Sequence, residues 1–114
     1  MRTLLSGLSR PAAVLRVAIV VALGVAATPA SADTAEKQKA YGKHLSGECT
    51  TCHRIDGTDN GIPSIIGWPA DAFVAVLISY RDGERTNQAM ISVAKSLEED
   101  QMAALAAYFG SLGQ

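Results

Sequence analysis

Aromatic residues are scarce in this 114-residue chain: one Trp, three Tyr and two Phe. So few rings limit the core that side chains alone build. There are only two cysteines, which excludes the multi-bridge framework of small secreted domains. Positive charge is not in surplus, since ten Lys and Arg stand against 11 Asp and Glu. That balance argues against a nucleic-acid partner, which calls for a basic face. The chain also lacks an apolar run long enough to span a bilayer. Val17 to Ala27 is uninterrupted, yet a span takes roughly 20 residues. Convincing strand alternation and internal repeats are missing as well.

The short apolar run fits a targeting segment instead. Arg2, Arg10 and Arg16 supply a basic start, and Ala30-Ser31-Ala32 has the small-x-small form that signal peptidase accepts. No twin arginine is present, which points to general secretory export. We expect residues 1–32 to be a cleaved secretory signal peptide and 33–114 a mature periplasmic domain with no membrane span. An uncleaved N-terminal anchor is the other reading of this segment. Cleavage removes three cations and no acid, leaving a formal net charge of −4. Domains near or below roughly 80 residues usually need a staple, a metal or a cofactor. Something besides side chains must therefore complete the core.

Helical patterns dominate the remainder. The first helix is predicted from about Asp33 or Thr34 to Gly47, with a thin apolar face of Ala40, Tyr41 and Leu45. A loop rich in Gly, Asp, Asn and Pro follows from Arg54 to Trp68. Pro69 suits a first helical position, and Phe73, Val76, Leu77 and Tyr80 then form one stripe that ends at Asp82-Gly83. Glu84 to Lys95 reads as loop, with a short helical turn around Ile91 to Ala94. Ser96 and Glu99 have the spacing of a capping box for a last helix, whose buried face is Met102, Leu105, Ala106, Phe109 and Leu112. The expected fold is all-α, three main helices joined by irregular loops.

The two cysteines identify the missing core component. Cys49 and Cys52 lie one helical turn apart, and His53 follows directly. Cys-x-x-Cys-His is the haem-attachment signature. Both sulfurs reach one haem edge to form thioethers, and the histidine supplies an axial nitrogen to the iron. A thioredoxin-like motif would need a βαβ context, and a structural zinc site would need four ligands where only His44 is left over. An ordinary disulfide is the remaining rival. The expected cofactor is therefore one covalent c-type haem, with iron ligated by His53.

At this point the chain resembles the short bacterial class I cytochromes c, over nearly all of 33–114. Gly42 and Leu45 resemble that family's N-terminal helix, where a small residue lets the C-terminal helix cross closely, against positions matching Leu105 and Tyr108. Ile62-Pro63-Ser64-Ile65-Ile66-Gly67 resembles the family's Pro-containing loop. The resemblance implies that the Pro63 carbonyl accepts a hydrogen bond from the histidine's other nitrogen; a plain turn proline is the alternative. Tyr80 through Met90 resembles the stretch leading to the family's methionine ligand, with Gln88-Ala89 where relatives often carry proline.

Elimination also favours Met90 as the second axial ligand. Met1 leaves with the signal peptide, Met102 sits on a predicted buried helix face, and His44 lies on the first helix. Met90 as ordinary core filler stays open. Trp68 is expected against the haem, its indole N–H toward a propionate, and Arg81 or Arg85 is a candidate to neutralise one. Histidine and methionine ligation fills both axial positions, which favours electron transfer over substrate chemistry.

The leading function is thus a periplasmic electron carrier that meets redox partner proteins and is not itself an enzyme. The alternative is a haem subunit of an oxidoreductase, because Ile62 to Trp68 and the Arg-containing run toward Met90 resemble the cytochrome subunits of flavocytochrome c sulfide dehydrogenases; the partner would then be a flavoprotein. A haem enzyme or sensor with an exchangeable sixth ligand is the third reading, and it requires Met90 to be off the iron.

Overall fold

The computed structural model describes residues 30–113, and among them there are five helical segments and no strand. The expected signal peptide lies outside the described residues as far as residue 29. The chain runs through α1 (Ala30–Leu45), α2 (Gly47–Thr50), α3 (Ala70–Arg81), α4 (Gln88–Lys95) and α5 (Glu99–Ser111). No helix among the described residues is long and apolar enough to cross a membrane.

The first helix stops earlier than its sequence pattern indicates. Ser46 is buried and turns its hydroxyl back to the Lys43 carbonyl at 2.8 Å, and its own N–H also bonds that carbonyl. A serine that satisfies the last turn in this way competes with helix continuation. The chain restarts at once as α2, the single turn that carries Cys49.

Contact between α1 and α5 organises the fold, and Gly42 makes it possible. A Cβ built on Gly42 would sit 1.9 Å from the Ala104 carbonyl oxygen and 2.9 Å from the Tyr108 Cβ. The close partner is therefore Ala104, not Leu105, which turns toward the core instead. Ala40 and Tyr41, expected on the buried face, are exposed. Tyr41 nonetheless ties the two helices, accepting at its hydroxyl from Gln101 Nε2 at 3.2 Å.

The core is built on α5. Met102, Leu105, Ala106 and Phe109 are buried, and Phe109 stacks on Phe73 of α3 with ring centroids 5.8 Å apart. Fully burying side chains of this size contributes roughly 1.5–3 kcal/mol each. Leu112, predicted on the same face, is exposed because it lies past the end of the helix as its C-cap. Helix α3 ends in a Schellman turn: Gly83 takes φ of +79°, its N–H bonds Tyr80, and the Glu84 N–H bonds Ser79.

Two expectations for the C-terminal third need correction. The stretch expected as loop contains a full helix, α4, so the described residues hold four main helices and one short turn. Ser96 closes α4, its hydroxyl on the Val93 carbonyl at 2.7 Å, and so cannot open α5. Glu98 is the N-cap of α5, and Gln101 Oε1 accepts from the Glu98 N–H at 2.9 Å.

Candidate functional site

One cavity, of about 310 Å³, gathers residues from α2, the following loop, α3, α4 and α5. Cys49, Cys52, His53, Pro63, Trp68 and Met90 all line it. The four residues of the predicted α3 stripe, Phe73, Val76, Leu77 and Tyr80, line it too, together with Leu105 of α5. The lining is predominantly apolar, the environment a flat hydrophobic cofactor needs.

The cysteine-bearing turn is held by local bonds. Cys49 donates its N–H to the Ser46 carbonyl at 3.0 Å, and the Cys49 carbonyl accepts from Cys52 at 3.2 Å and His53 at 2.8 Å. Thr51 adds a hydroxyl bond to the Glu48 carbonyl at 2.8 Å. Neither cysteine is in a disulfide. Burial, and then the nearby Glu48 carboxylate, push the Cys49 thiol up to about 11, so it stays protonated near neutral pH.

His53 is buried, and its Nδ1–H donates to the Pro63 carbonyl oxygen at 2.7 Å. A carbonyl only accepts, so the bond places the ring proton on Nδ1 and leaves Nε2 as a lone-pair donor. The loop between the two residues is shaped by its own polar groups. Arg54 hydrogen-bonds Asp56 through Nε at 3.1 Å, and that contact, with the Thr58 N–H, holds the Asp56 carboxyl well below the usual carboxylate range. Gly57, Gly61 and Gly67 each take a positive φ that other residues rarely adopt.

The end of α5 secures the far side of this loop. Gly67 donates its N–H to the Phe109 carbonyl at 3.0 Å, and a Cβ on Gly113 would lie 2.5 Å from the Gly67 Cα. Nothing in the sequence pattern brought Gly113 to the site; only the folded contact does.

Met90 sits in the first turn of α4 rather than on an irregular loop. It is half-buried and lines the cavity, whereas Met102 is fully buried in the core and does not. His44 is exposed on α1, away from the lining. Arg85 lines the cavity, its Nε on the Ser79 hydroxyl at 2.8 Å and its guanidinium 5.5 Å from the Tyr80 ring centre. Arg81 is instead engaged by Glu99 at 3.3 Å and Asp82 at 3.7 Å. Asn87 also reaches the cavity, and the sequence reading missed it. The signal was there, since asparagine just before Met90, Ile91, Val93 and Ala94 has the form of an N-cap.

The residues fit a c-type haem on their own chemistry: two thiols one turn apart, an imidazole with one nitrogen committed, a thioether and an apolar wall. No family model matches the chain. Over 92 residues, however, it is 35% identical to the cytochrome subunit of sulfide dehydrogenase from Chlorobaculum tepidum, covering 80% of this chain and 81% of that protein. The chain belongs to the small c-type cytochromes. This cytochrome is also 34% identical, over 102 residues, to the thiosulfate dehydrogenase electron acceptor of Thiomonas intermedia. That match covers 85% of the chain but 44% of the longer protein. As a c-type cytochrome it is an all-α haem protein that transfers electrons, a carrier rather than a catalytic subunit.

Proposed function

We propose that this cytochrome carries one electron on a single haem, joined to Cys49 and Cys52 and ligated by His53 and Met90. The observation that carries the reading is the His53–Pro63 hydrogen bond, which frees Nε2 within the cavity that Met90 also lines. Haem supplies an iron that cycles between ferric and ferrous states. Cys49 and Cys52 would hold the haem through thioethers, an addition that releases no group and requires no oxidant.

The remaining chemistry belongs to the chain. The Pro63 carbonyl fixes the His53 ring and strengthens its donation. The Met90 thioether is a soft ligand that raises the potential relative to a second histidine. Histidine and methionine together leave no axial position for a substrate. Trp68 and Arg85 offer an indole N–H and a cation to the acidic edge of the haem, and the Ser79 and Tyr80 contacts hold Arg85 ready. Arg81, already paired, is released from that role.

For a partner, the two similar proteins support a dehydrogenase of a reduced inorganic sulfur compound, and a flavoprotein as its electron-donating subunit rests on the sequence resemblance of Ile62 to Trp68. Residues 1–32 act as the export signal and place the mature chain in the periplasm. Native purification tests the assignment. Denaturing mass spectrometry should show one haem retained per chain from which residues 1–32 are missing. Haem lost on denaturation, or a chain still carrying residue 1, would refute the corresponding part.

A further inference from the structure

We propose that Asn87 is a positioning residue that holds Met90 against the cavity through its N-cap; the inference rests on Met90 as the sixth ligand. The backbone N–H groups in the first turn of a helix have no carbonyl within the helix to bond. Met90 lies in that turn of α4, a helix of only eight residues. Asn87 Oδ1 accepts the Met90 N–H at 3.1 Å, and the Asn87 carbonyl accepts from Ile91 at 2.9 Å. Asn87 thus grips the ligand-bearing residue and the one after it.

The rest of α4 is anchored differently. Ala94 is fully buried, and Val93 faces the same cavity. Burial therefore secures the C-terminal half of the helix. Gln88 and Ala89 are exposed, as is every residue from Asp82 to Thr86. In the turn that starts at Gln88 only Met90 packs against the core, and it is half-buried, so the turn relies on the cap to stay helical. If it frays, the Met90 backbone loses the position from which its sulfur enters the cavity. Asn87 itself lines that cavity, so its cap lies beside the ligand and not on a remote surface.

The test uses the ferric holoprotein and imidazole as an incoming ligand, whose binding requires methionine to leave. The wild type should show the weak red-edge absorption of a methionine–ferric bond. Asn87→Ala should speed imidazole entry about fivefold to tenfold, the factor that corresponds to loss of a typical N-cap. Asn87→Ser restores a neutral capping oxygen and should return the rate to within about twofold of wild type. Gln101→Ala, which removes a cap contact of α5 away from the cavity, should lower stability without speeding entry.

Unchanged kinetics in Asn87→Ala, or a serine variant as fast as the alanine one, would overturn the role of Asn87. So would equal acceleration by Gln101→Ala, because general loosening would then be the cause. A wild type with no red-edge band strikes at Met90 ligation itself and is recognised before any variant is made.

Discussion

His53 and Pro63 are ten positions apart, yet the imidazole Nδ1–H of one meets the carbonyl oxygen of the other at 2.7 Å. In the proposed ligation the bond would make the histidine a stronger donor, which would stabilise ferric over ferrous iron. Pro63→Ala keeps the carbonyl but frees the backbone angle that aims it. The reduction potential should rise, by up to about 60 mV for a tenfold change in the one-electron equilibrium. Potentiometric titration of the variant checks this, and a potential that stays or falls contradicts it.

Replacing Met90 should alter the iron, and replacing Met102 should not. Met90→Ala should abolish the red-edge band, lower the potential and let the reduced protein bind carbon monoxide. Met102→Leu keeps volume in a fully buried site and should cost under about 1.5 kcal/mol with the spectrum intact. Carbon monoxide binding to wild type, with no further change in Met90→Ala, would favour an exchangeable sixth ligand.

At Gly42 the obstacle is backbone, not a flexible side chain. The Ala104 carbonyl stands where a Cβ would go, so α1 and α5 must separate to admit one. Gly42→Val should destabilise the fold by at least about 1–3 kcal/mol. Denaturant melts followed by helical circular dichroism measure the loss.

Covalent attachment should fail one bond at a time. Cys49→Ser and Cys52→Ser should each leave a single thioether, and the double variant should release its haem on denaturation. Because the haem completes the core, the double variant purified without haem should be protease-sensitive and poorly helical. Equal helicity with and without haem would show that the side chains suffice.

The Cys49-to-His53 turn was legible as a candidate site because it is local: five consecutive residues carry both thiols and the imidazole. The α3 stripe was legible for a similar reason, since Phe73, Val76, Leu77 and Tyr80 follow helical spacing and all four reach the cavity. Helix α4 was not, because in its first turn, Gln88-Ala89-Met90, only Met90 is even partly buried and the turn depends on a cap. Once α4 extended to Lys95, Ser96 became its terminator and the start of α5 moved to Glu98. The Gly42 crossing was foreseen as a close approach against Leu105 and Tyr108; Tyr108 is there, but Ala104 takes the place of Leu105. Which residue of one helix meets which of another is set by axial offset, which spacing within a single helix does not encode.

The contact of Gly67 with Phe109 and Gly113 has a consequence for the order of assembly. The Cys49-to-His53 turn lies some sixty residues before the segment that shuts the loop behind it. The turn needs only its neighbours, while shutting requires contacts between distant parts of the chain, the slow kind to form. Until α5 docks, neither the Gly67–Phe109 hydrogen bond nor the Gly67–Gly113 approach exists to hold the loop. Local turn first and distant clasp second is the order this connectivity favours.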